Sequence, residues 1–87
     1  MAQDYKIIQL SPINDFYALY RTGVAPYFEL RRLMAVALCE NQDGHRWPSG
    51  LDEGTYLSSK ANGFVEYLHA STVTPERREA WAKSFKP

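Results

Sequence analysis

The sequence has one cysteine, Cys39, so no disulfide can close within the chain. It also lacks net charge: ten Lys and Arg oppose ten Asp and Glu. That balance excludes a global field drawing the chain to phosphate or anionic lipid, and leaves nucleic acid only a local patch. It also removes the self-repulsion that keeps charged proteins apart. No long hydrophobic stretch is present. The longest, residues 33–39, is far short of the ~20 residues that cross a bilayer as a helix. The start, Met-Ala-Gln-Asp-Tyr-Lys, lacks the basic and apolar regions of a signal peptide, so the expectation is an intracellular, cytoplasmic protein without membrane contact.

The phosphate-binding glycine patterns G-x-x-x-x-G-K-[ST] and G-x-G-x-x-G are missing. A calcium loop aligned on Asp43-Gly44 would put Cys39 and Gly50 where carboxylates are needed. Neither G-x-S-x-G nor H-E-x-x-H occurs. Cys39, His45 and His69 are the soft metal ligands, too few for a tetrahedral site without a carboxylate such as Asp43 or a second chain. The expectation is therefore no enzyme activity, no metal and no cofactor.

What is present is the composition of a folded domain: 45% hydrophobic, 14% aromatic and 23% charged residues. With 87 residues the chain is read as a single domain, 1–87. Residues 4–10 are β-branched and aromatic enough for a short extended segment, although their pattern does not alternate cleanly. Ser11-Pro12 then reads as a helix N-cap with proline at the first helical position, and Gly23 as a C-cap. Ile13, Phe16, Tyr17 and Tyr20 between them fall on one helical stripe, which predicts a first helix over 12–22.

Pro26 can open a second helix running to residue 40, whose half from Leu33 to Cys39 is apolar on all sides, as in a buried helix. Residues 41–54 read as a long loop. Over 55–70 two readings compete. Leu57, Ala61, Phe64, Val65 and Leu68 share a helical face, whereas Asn62-Gly63 is a strong hairpin signal. The helix keeps the cleaner apolar face and is preferred. Thr74-Pro75 repeats the cap-plus-proline signature, with Glu76 and Lys83 placed favourably for the helix dipole. The predicted fold is all-α: a small bundle of four helices behind a short N-terminal extended segment. The alternative is α+β, with a hairpin about Asn62-Gly63.

The leading functional expectation is a non-enzymatic protein-interaction module that occupies a surface on a larger protein partner. Small intracellular chains of this kind often act as regulators or inhibitors, including some encoded by phages, and this is an analogy of class only. Tyrosine, tryptophan and arginine dominate interface hot spots, so Tyr17, Tyr20, His45, Arg46 and Trp47 are the candidate contacts. The second reading is a nucleic-acid-binding regulator that uses Arg77, Arg78, Trp81 and Lys83, where basic side chains surround an aromatic. His69 is read as a capping residue. A homodimer is also expected, because residues 5–10 offer a strand edge and a small domain gains core by association.

Overall fold

A computed structural model describes residues 5–54 and 56–87, apart from the side chain of Lys60. Residues 1–4, which include the first residue of the expected extended segment, and Thr55, the first of the third predicted helix, lie outside the described residues. The described chain is mostly antiparallel sheet. It forms β1 (Tyr5–Pro12), β2 (Phe16–Arg21), β3 (Phe28–Asn41), β4 (Arg46–Asp52) and β5 (Phe64–His69), followed by one helix, α1 (Pro75–Ser84). Short 3-10 turns cover Ser58–Lys60 and Ala70–Thr72.

The all-α bundle is therefore incorrect. The helix predicted over 12–22 is the end of β1 and all of β2, and the helix over 26–40 is β3. The loop over 41–54 is a tight turn followed by β4, and the helix over 55–70 gives way to a 3-10 turn and β5. The hairpin alternative fails as well, because β5 pairs with β2 and not with the residues before Asn62. What stands is the extended N-terminal segment and α1, where the Thr74 hydroxyl accepts a hydrogen bond from the Arg77 N–H at 3.2 Å.

β3 is the spine. Its C-terminal half pairs with β1 on one edge and β4 on the other, and its N-terminal half pairs with β2, which in turn pairs with β5. β1 and β2 thus run end to end along the same edge of β3. Residues 13–15 separate them, and β3 shifts register against β4 between Leu33 and Ala35 at the same level. These irregularities bend the ribbon. The molecule is elongated along it, 41 × 27 × 20 Å, with a radius of gyration of 14.3 Å against about 12 Å for a compact domain of this length.

Because the C-terminal half of β3 is flanked on both edges, its amides there are satisfied by neighbouring strands, and this outweighs the weak helix preference of its Leu, Met and Ala residues. Ala35, Ala37 and Cys39 are small and buried, which lets Leu51, Leu57 and Trp47 pack directly over the sheet. Toward the other end, Leu19 and Leu68 pack with Trp81 of α1, with Phe28 and Leu30 alongside. Ala18, Tyr20 and Leu33 form a third cluster on the opposite face of β2 and β3. No helix among the described residues is long and apolar enough to cross a membrane.

Candidate protein-binding groove

Side chains alternate across a strand, so the face of β2 that carries Phe16, Ala18 and Tyr20 is opposite the one that holds α1. At the bend this face meets Val36 of β3 and Pro48 of β4. Ile13, Phe16, Leu33, Val36, Pro48 and Tyr67 line an open groove of about 310 Å³. Its lining is almost wholly apolar.

The groove has a fixed wall. Tyr67, on β5, reaches across to β4, where its hydroxyl accepts a hydrogen bond from the Gly50 N–H at 2.8 Å. Gly50 is required there: a Cβ would lie 2.7 Å from Tyr67 Cε1 and 2.9 Å from a Leu33 methyl group. Phe16 is held edge-on to His69 at 5.1 Å, and His69 Nδ1 lies 2.8 Å from the Ser71 hydroxyl and accepts from the Ser71 N–H. His69 thus caps a 3-10 turn where the sequence suggested the end of a long helix.

A second, polar hollow lies around Glu29, Arg31, Arg32, Asp52, Glu53 and Tyr56. Its charges are engaged with one another. Arg31 pairs with Glu29 at 3.2 Å and with Asp52 at 3.7 Å, and its guanidinium lies 4.4 Å from the centre of the Tyr20 ring. Desolvation opposes the Arg31 charge, but the Glu29 hydrogen bond and the neighbouring negative charges outweigh it and hold its pKa above the ordinary value. Asp52 accepts the Gly54 and Tyr56 amides at 2.9 and 3.0 Å. These contacts fold the turn after β4.

The structure separates the residues singled out from sequence. Tyr20 is 2% exposed, packed 5.8 Å from the Phe64 ring, and Tyr17 is half-buried on the other face of β2. His45, Arg46 and Trp47 sit at the opposite end of β3. The His45 ring stacks on Trp47 at 5.9 Å, Trp47 lies 6.1 Å from Tyr5, and Arg46 bonds Glu40 at 2.7 Å. Tyr20 is opposite Glu29, Tyr17 opposite Arg32 and Trp47 opposite Cys39, so the two sets are about 20–30 Å apart along β3.

On α1, Trp81 is buried in the core, 5.6 Å from Phe28. Arg77 lies over the Trp81 ring at 5.1 Å and pairs with Glu66 at 3.5 Å, Lys83 pairs with Glu79 at 3.2 Å, and Arg78 is exposed. The basic residues do not surround a free aromatic. Sequence reasoning missed the groove residues Phe16, Val36, Pro48 and Tyr67. The available signal was Val36 and Leu38 alternating with small Ala35, Ala37 and Cys39, the pattern of a strand apolar on both faces.

No family model, curated protein or solved structure matches this chain.

Proposed function

We propose that the chain is a non-enzymatic protein-binding module, a small regulator or inhibitor that seats an apolar segment of a larger protein partner in the groove between Phe16, Val36, Pro48 and Tyr67. The observation that carries the reading is the groove itself, open, apolar and walled by the Tyr67–Gly50 hydrogen bond. Its volume, about 310 Å³, is at the bottom of the ~300–1,000 Å³ range of ligand pockets, which suits one anchoring side chain better than a cofactor. A wall that is already in place reduces the ordering lost on binding.

A photo-crosslinking residue in place of Phe16 tests this directly. The expected outcome is labelling of an apolar segment in one partner protein, with capture of that partner lost in a folded Val36→Glu variant. If Val36→Glu, shown by circular dichroism to be folded, captures the same partner equally well, the groove is not the working surface.

A further inference from the structure

The outer edges of the sheet are not equivalent. On β4, the Asn41 N–H donates to His45 O at 2.9 Å, which fixes the alternation and turns the amides of Arg46, Gly50 and Asp52 away from β3. Pro48, with no N–H, falls at an outward position too. Gly50 then donates to the Tyr67 hydroxyl and Asp52 to Tyr56 O at 3.1 Å, so this edge is largely closed. β5 covers the outer edge of β2 as far as Asp15, whose carbonyl accepts the Ala70 N–H at 2.7 Å. Beyond that point the outer edge of β1 has no strand beside it among the described residues.

β1 carries unusual apolar exposure for an edge. Ile7 is 43%, Ile8 38% and Leu10 53% exposed. A register shift between Ile7 and Gln9 puts Ile7 opposite Cys39 and Leu10 opposite Ala37, so both side chains lie on the face of the buried Ala37–Cys39 cluster. Ile13 donates to Met34 O at 3.3 Å, so by alternation Leu10 turns its amide outward, and Pro12 occupies a position where no inward N–H is needed.

We propose that this edge pairs with the same edge of a second copy of the chain, joining two β1 strands antiparallel about a twofold axis between Ile8 and Gln9. The strand is self-complementary in that register. Ile7 of each copy faces Leu10 of the other, on the face that extends the Leu51 and Leu57 cluster into one core across both copies. Lys6 falls opposite Ser11, so no like charges meet, and Lys6 is already held by Glu40 at 3.7 Å. The zero net charge adds no long-range repulsion. The symmetry is closed, which consumes the open edge rather than propagating a fibre. This pairing uses the β1 edge and not the Phe16 groove, so it stands or falls independently of the reading above.

The test is the mass of the full chain by sedimentation equilibrium, with variants. The wild type is expected to shift from 10.0 kDa to twice that mass within the micromolar range, as befits a small interface. Leu10→Lys, which buries an unpaired ammonium at the contact, is expected to weaken association by more than about tenfold, while Val24→Lys in the distant hairpin turn leaves it unchanged. A register test avoids any dependence on that variant's folding. Residues directly opposed in antiparallel strands lie within disulfide reach, so Ile7→Cys/Leu10→Cys should oxidise to a covalent dimer while Ile7→Cys alone does not. Both variants carry Cys39→Ala, because Cys39 lies directly opposite Ile7 in the β1–β3 ladder and would otherwise be within reach of the new thiol. A monomeric mass at high micromolar concentration, or a dimer that persists in folded Leu10→Lys, overturns the proposal, and so does failure of the double-cysteine variant to cross-link.

Discussion

The Tyr67 hydroxyl accepts the outward-facing Gly50 N–H at 2.8 Å, tying β5 to β4 across the bend although the two strands share no ladder. The bond closes a sheet edge and forms a groove wall at once. Tyr67→Phe keeps the ring and removes the acceptor. It is expected to lower stability by about 1 kcal/mol, the usual net worth of a hydrogen bond, in urea denaturation. Gly50→Ala drives a methyl group against Tyr67 and Leu33 and should cost about 1–3 kcal/mol by overpacking. Because the two residues touch, the double variant Gly50→Ala/Tyr67→Ala should depart from additivity. Additive losses would show that the contact does not couple the strands.

Two glycines separate backbone strain from crowding. Gly23 has φ +72° and open space about its Cα, whereas Gly63 has φ +83° and a Cβ there would strike the Arg21 carbonyl oxygen. Gly63 O also accepts the Arg21 N–H at 2.8 Å, anchoring the entry to β5. Gly23→Ala is expected to cost about 1 kcal/mol from left-handed backbone alone. Gly63→Ala should cost clearly more, read as a larger fall in thermal midpoint. Equal falls would refute the clash.

The same two glycines show how far the sequence could be read. Gly63 does need positive φ, as its Asn-Gly setting suggested, but it feeds a strand whose partner, β2, is more than forty residues earlier in the chain, and local turn chemistry carries no information about that pairing. Ser11-Pro12 looked like a helix start because proline fits a first helical turn and an edge strand for the same reason, a missing N–H that nothing needs. Residues 33–39 looked like a buried helix because β3 is apolar on both faces, one for the core and one for the groove, and such a run has no diagnostic period. α1 was legible since its cap and dipole signals are local. The groove was not, because its lining comes from five segments that only the bend brings together.

Trp81 is the residue that docks α1, 8% exposed against Leu19, Leu68 and Phe28. Trp81→Ala should cost about 3–5 kcal/mol. A domain of this length has roughly 4–13 kcal/mol in all, so the helix is expected to lose protection in hydrogen exchange before the β3 amides do. Uniform loss across helix and sheet would mean that α1 is not a separable layer.

Glu40 gives the fold a pH dependence whose sign follows from its neighbours. Arg46 Nε lies 2.7 Å and Lys6 Nζ 3.7 Å from its carboxylate, and the Arg46 hydrogen bond holds the Glu40 pKa below the ordinary value, against a smaller opposing effect of desolvation. The folded chain therefore binds this proton less readily than the unfolded chain. Its stabilisation is fully present above the ordinary carboxyl value, about 4.3, and is lost as the pH falls through the lower folded value. The thermal midpoint of Glu40→Gln should lie below that of the wild type at neutral pH, and the gap should close only in the acid range beneath that ordinary value. Arg46→Ala should remove more of this pH dependence than Lys6→Ala, because its contact is a short hydrogen bond and the lysine pair is longer and more exposed. A gap that stays constant down to strongly acid pH would show that Glu40 stabilises the sheet by packing rather than by charge.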